Sequence, residues 1–240
     1  MAVIKSPGIV FRVIKYRETS IITDIYTKEL GLRSYIVNGV RKARSSFPAA
    51  LFQVGNILEL VLYEKSSDTL NRIKEARAEY VYKEVPYKIE KSSVQVFIME
   101  LLGKCIKEHE SNQDLYAFLR SELEYLDNLH SGVQYFHLKF ILELSTYLGF
   151  RPLNNAGPTT PFFNLQEGLF EDRSSISYHI DEIRSGYISQ LLAVNKDDLP
   201  QLKIPKSMRI SLIEDLLKFY QYHIEGFTGL KSFEIYRQLF

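Results

Sequence analysis

The apolar residues of this chain change their period near residue 80, and that change constrains the fold more than any other feature. Before it, β-branched and aromatic residues gather in short runs near 8–16, 20–27, 32–38, 56–63 and 70–77. Runs of that length and make-up predict five strands. Lys28, Glu29, Leu30 and Gly31 join the second and third runs, and Gly31 can take the left-handed backbone that a bulged hairpin needs. Residues 66–69 do the same between the fourth and fifth. Between the third and fourth runs lies a basic stretch followed by "SFPAALFQ", which leaves room for one short helical plug.

After residue 80 the spacing becomes three and four. Val94, Phe97, Ile98, Leu101, Leu102, Cys105 and Ile106 predict a helix over 92–109, with Ser92 and Ser93 as caps. A second starts from an Asn112 or Ser111 cap and runs through Leu115, Phe118, Leu119, Leu123 and Leu126. A third carries Phe136, Phe140, Leu144 and Tyr147, and Gly149 and Pro152 end it. Residues 152–183 break the pattern with three prolines and two glycines, and helical spacing returns over 187–192 and 207–224. Five strands with a helical insert after the third is the layout of an oligonucleotide-binding (OB) barrel. The expected class is therefore α+β: a five-stranded OB-fold barrel over 1–80, then a mainly α-helical domain over 81–240 with an irregular hairpin excursion at 152–183.

At 240 residues and 45% apolar content the chain can bury a proper core. One cysteine makes no intrachain disulfide, and Cys105 reads as a packed thiol. The opening "MAVIKSPGIVFR" lacks a signal peptide's apolar segment and no run is long enough to span a membrane, so a cytoplasmic protein is expected. No phosphate-loop, dinucleotide or H-E-x-x-H motif occurs, and the five histidines have no ligand spacing. No catalytic residue, metal or cofactor is expected.

Charge is uneven. The net charge is +1, yet the first 44 residues hold nine basic side chains against three acidic ones, leaving −5 for the rest. Such asymmetry points to a polyanionic partner at one end. An OB barrel grips single strands with cations that follow the phosphates and aromatic faces that receive bases. Arg12, Lys15, Arg17 and Arg33 interleave with Phe11, Tyr16, Tyr26 and Tyr35, and Arg41, Lys42 and Arg44 follow the third run. These seven cations are the expected DNA contacts, with Arg41, Lys42 and Arg44 first; a solvated basic loop is the plainer reading of that trio. Phe11 and two of the tyrosines read as barrel filling ahead of base platforms, since a small barrel needs large inward residues. Lys139, beside the Phe136–Phe140–Leu144 stripe, is either a rim lysine or the receiver of a carboxylate.

The segment "GIVFRVIKYRETSIITDIYTKELGLRSYIVNGVRKARS", with "ALFQVGNILEL", "YLGF", "EGLF" and "GLKSFEIYRQL" in order behind it, resembles the bacterial recombination mediator family RecO over essentially the whole chain. The resemblance implies a protein that binds single- and double-stranded DNA, anneals complementary strands, and works with RecR to load RecA onto DNA coated by single-stranded DNA-binding protein (SSB). It also implies that the helical domain holds the acidic SSB tail, for which Lys139 is the matching basic residue, and that the protein is nucleoid-associated and makes or breaks no bonds. Some members carry a four-cysteine zinc site in the excursion. Residues 150–183 hold no cysteine here, so packing by Phe162, Phe163, Leu165, Leu169 and Phe170 is expected to replace it. An OB-fold RNA-binding factor and a protein-binding scaffold remain alternatives on the residues alone.

Overall fold

In the computed structural model, residues 2–40, 47–64, 70–107, 109–172 and 178–239 are described. They form two compact units, residues 1–128 and 129–240.

The first unit is built on a closed five-stranded barrel in the order β1-β2-β3-β5-β4, from β1 (Ala2–Tyr16), β2 (Ser20–Thr27), β3 (Gly31–Val37), β4 (Ile57–Glu64) and β5 (Asn71–Ala78). Closure depends on β1. Its first half pairs with β4 and its second with β2, and Gly8 belongs to both ladders. A Cβ at Gly8 would stand 2.7 Å from the Ile25 methyl, so only glycine lets the strand turn this corner. The register slips between Val10 and Arg12, a bulge that tightens the bend. Parallel pairing of Tyr35 and Ile36 with Asn71 and Arg72 completes the circle. Val10, Ile21, Ile25, Tyr35, Val37, Leu58, Leu60, Leu62 and Ile73 fill the inside, with Phe52 of the predicted helical plug, a short 3-10 turn (Ala49–Phe52), against them.

Helices α1 (Ile89–Cys105) and α2 (Gln113–Asn128) belong to the same unit. Asn112 caps α2, its Oδ1 accepting from the Leu115 amide at 2.9 Å. The predicted cap of α1 is corrected. Pro86 turns the chain, the amides of Tyr87 and Lys88 already donate to the Glu84 carbonyl, and the helix starts at Ile89. Ser92 and Ser93 therefore lie in the first turn and donate to the Ile89 and Glu90 carbonyls.

The second unit holds α3 (Val133–Tyr147), a hairpin of β6 (Phe162–Asn164) and β7 (Leu169–Glu171), α4 (Glu182–Ala193), α5 (Lys206–His223) and α6 (Ser232–Leu239). Gly149, at φ +87°, ends α3: the Phe150 amide reaches back to the Ser145 carbonyl and the Gly149 amide to that of Thr146. The hairpin packs inward through Phe163, Leu165 and Phe170, while Phe162 and Leu169 stay half-exposed. Among the described residues no group of His, Cys, Asp and Glu is placed to hold a metal, and no helix is long and apolar enough to cross a membrane. The excursion does not fit zinc. Glu171 instead accepts from Asn164 Nδ2 at 3.0 Å and meets His179 Nε2 at 2.6 Å, tying the hairpin to the segment that leads into α4.

Candidate nucleic-acid interface

The β1–β2 ladder decides where the predicted cations stand. Arg12 pairs with Asp24, Lys15 with Ile21 and Tyr16 with Ser20, so the three lie along one edge that ends in the turn at 17–19. Arg12, Lys15 and Arg17 are exposed. Arg12 is partly committed, since its Nε donates to Asp24 at 2.5 Å while Ser34 Oγ donates to the same carboxylate at 2.6 Å. Arg17 holds the turn at φ +55°, a left-handed backbone uncommon outside glycine, with its guanidinium over the Tyr16 ring at 5.2 Å from the centroid. Lys15 has no ion pair among the described residues. The exit of β3 lies beside this turn, where Ser20 Oγ donates to Asn38 at 3.0 Å.

Arg33 is set apart. It pairs with Ile25, four residues along β2 from the Ile21–Val37 pair, and its Nη1 donates to the Leu32 carbonyl. The fold thus sets Arg12, Lys15 and Arg17 on the second half of β1 and its turn and leaves Arg33 towards the opposite end of the barrel. Arg41, Lys42 and Arg44 lie outside the described residues. Sequence reasoning missed Arg72, an exposed residue that the parallel β3–β5 pairing sets across from Ile36. Its signal is non-local, because β5 reaches β3 only when the barrel closes.

Of the four aromatics, Tyr35 alone is packed inside the barrel. Phe11 and Tyr26 do not fill it; this corrects the reading that Phe11 and two tyrosines would. The bulge after Val10 turns Phe11 outward, where it stacks on Tyr26 at 5.5 Å, and Tyr26 stacks on Tyr116 of α2 at 6.4 Å. All three are buried there. Tyr16 is half-exposed.

Lys139 is buried rather than rimming its helix. Its Nζ donates to the carbonyls of Leu191 and Leu192, at 3.0 and 3.4 Å, where α4 ends, and lies 3.6 Å from Glu143. A cation on those orphan carbonyls caps the helix and answers its dipole. Burial holds the ammonium below the ordinary lysine range; Glu143 opposes that, while Lys196 and Arg151 are near enough to add to it. Lys196 shares Glu143 at 3.0 Å, and Arg151 is exposed. Lys139 and Lys196 therefore share one carboxylate, and Arg151 is near enough to Lys139 to act on its charge. Elsewhere, burial pushes the Cys105 thiol up to about 12 and the His137 imidazole down to about 3, so the first stays a thiol and the second neutral.

A family model described as "Recombination protein O N terminal" matches residues 1–82, and one described as "Recombination protein O C terminal" matches residues 86–232. The chain is 34% identical over 238 residues to the DNA repair protein RecO of Flavobacterium psychrophilum and 32% identical over 238 residues to that of Christiangramia forsetii, covering 99% of both partners in each comparison. It is 29% identical over 238 residues, 98% of each chain, to the DNA repair protein RecO of Bacteroides fragilis. With a closed barrel ahead of a helical region and both family models matched in order, the chain belongs to the recombination protein O (RecO) family.

Proposed function

We propose that this chain is a recombination mediator of DNA repair that binds single- and double-stranded DNA through the basic end of its barrel, anneals complementary strands, and with RecR helps load RecA onto SSB-coated DNA. The observation that carries the reading is exposed Lys15 and Arg17 at the β1–β2 turn of a closed barrel, with exposed Arg12 further back along the same strand. Arg41, Lys42 and Arg44 join them in the proposal on sequence grounds, and Arg33 is its weakest member. Annealing asks a protein to neutralise two polyanions while leaving base edges free to pair, so contacts made mainly to phosphate suit it. The role is one of binding and delivery, with no bond made or broken.

The SSB tail is assigned to the second unit, at the cations around Glu143. Lys139 anchors the end of α4 there, and Lys196 and Arg151 extend its charge to the surface. An acidic tail would displace Glu143 from part of this cluster. Strand annealing followed with two labelled complementary oligonucleotides tests the first claim: Lys15→Ala/Arg17→Ala should slow it several-fold, and an unchanged rate would contradict the assignment. Calorimetry with an acidic tail peptide tests the second. Arg151→Glu should weaken binding several-fold to a hundredfold at unchanged stability, while Lys139→Glu should lose both binding and stability.

A further inference from the structure

Helix α1 is apolar on two faces. One packs inward through Val94, Phe97, Ile98, Leu101 and Leu102, all buried. The other carries Ile89, Val96 and Gly103, and seven residues bring a helix round to within about 20° of its starting line, so the three stand in one row along the outside. Ile89 is 64% exposed and Val96 55%. Gly103 is exposed too, and no heavy atom among the described residues lies within 4 Å of where its Cβ would stand. A helix-interior glycine weakens the helix, and nothing that packs against α1 in this chain asks for one. Ser92 and Ser93 flank the row with their hydroxyls already spent on the Ile89 and Glu90 carbonyls, so little unmet polarity borders it.

We infer that this row is a self-docking surface, on which α1 of a second copy of the chain lies antiparallel about a two-fold axis at Val96. Residues equidistant from Val96 then meet, so Ile89 of each chain enters the notch at the partner's Gly103 and Val96 meets its own copy. The row carries a large residue seven places before its centre and a missing side chain seven places after. A reversed copy of the same helix answers that pattern at both ends, and a parallel copy at neither. Charge agrees. A parallel copy would set Glu100 on Glu100, whereas the reversed one sets it across from Ser92 and opposes the two helix dipoles. The like charges that do meet, Lys88 and Lys104, each have an acid of their own chain one turn back, Glu84 at 2.8 Å and Glu100 at 3.7 Å. Over its 17 residues α1 is about 25 Å long, and a strip of that length and about 10 Å width is far short of the roughly 800 Å² that each side of a stable protein interface buries. The pair is therefore weak in free solution and forms where chains are crowded, as on one nucleic-acid strand. Its use rests on the mediator reading: two paired chains hold two strands at once, which annealing needs.

Cysteine cross-linking of the full chain tests the pairing, with the parent, whose one cysteine is Cys105, as background. Under a mild oxidant Val96→Cys should link to its own copy, and an equimolar mixture of Ile89→Cys and Gly103→Cys chains should link better than either variant alone. Ile235→Cys, at a residue 60% exposed on α6, sets the level for random collision. Gly103→Gln separates pairing from folding. Its side chain meets open space within one chain and should raise the melting temperature, yet it fills the notch and should weaken self-association in sedimentation about tenfold. Val96→Lys should weaken association as much and slow annealing several-fold, while leaving oligo-dT affinity and its salt slope as in the parent. Val96→Cys linking no faster than Ile235→Cys, or Gly103→Gln associating as the parent does, overturns the surface. A parent that stays monomeric while Val96→Lys still slows annealing assigns the row to another occupant and overturns it equally. Specific cross-links with an unchanged annealing rate support the pairing and remove only its part in annealing. A parent that anneals no strands removes the mediator reading, and the cross-links still decide the surface.

Discussion

Asp127 shows how one side chain can close a unit. It is buried, and its two oxygens accept from the amides of Lys83, Glu84 and Val85 and from the Tyr80 hydroxyl, all at 2.9 Å. Burial pushes its carboxyl up, yet these donors outweigh it and leave the group below the ordinary aspartate range. The buried Lys91 ammonium completes the knot, donating to the Asp127 backbone carbonyl and to Glu84, both at 2.6 Å. Lys88 and Lys91 hold the Glu84 carboxyl down to about 2. Asp127→Ala would strip partners from three amides at once and should cost about 3 kcal/mol in urea unfolding. Asp215 behaves in the opposite sense. Burial raises it to about 6, although Arg184 donates to it at 2.6 Å and Lys218 also favours its charge. Its folded form prefers the proton, so its contribution is complete below about pH 4 and is lost as pH rises through about 6. Stability curves at pH 5 and pH 7 should therefore show Asp215→Asn gaining about 1 kcal/mol relative to the parent across that interval. A pH-independent difference would mean the carboxylate is charged throughout.

Among the elements, the turn at 17–19 carries strain and binding together. A left-handed backbone costs an L-residue roughly 1–2 kcal/mol, part of which glycine returns as lost entropy. Arg17→Gly should accordingly leave the fold unchanged or up to about 1 kcal/mol more stable while lowering the salt slope of single-strand binding by about 0.7. Loss of both stability and binding would show that the guanidinium on Tyr16 holds the turn. The excursion gives the second element-scale prediction. With Asn164, Glu171 and His179 tying the hairpin, chelators should not shift the melting temperature, elemental analysis should find no stoichiometric zinc, and Glu171→Ala should lower the melting temperature. Helices α1 to α3 were legible because a three-and-four spacing persists over four turns in each, and the strands because turn residues bound each run. Three features were not. The bulge after Val10 reverses which residues of β1 face out and so takes Phe11 out of the barrel, while Tyr26 faces out by alternation from inward Ile25 on β2. The partners of Lys139 come from the end of α4, 52 residues further along the chain. The cap of α1 moved because Pro86 starts the coil before either serine.

On the scale of the whole molecule, charge is segregated by sequence: +6 over the first 44 residues and −5 over the rest. The barrel places three of those early cations on β1 and its turn and sends Arg33 elsewhere, so the charge bias was legible in composition and its distribution over the barrel was not. Phosphate contacts leave a signature that apolar contacts do not, because each releases condensed counterions and adds about 0.7 to the logarithmic salt slope for a single strand. The most direct measurement is thus the affinity of the full chain for a labelled oligo-dT strand between about 50 and 200 mM salt, for the parent, for Lys15→Ala/Arg17→Ala, and for Lys139→Glu. The barrel edge predicts a slope shallower by about 1.4 for the double variant and parallel lines for Lys139→Glu and the parent. Parallel lines for the double variant and the parent would contradict it, and would move the DNA contact away from the β1–β2 turn.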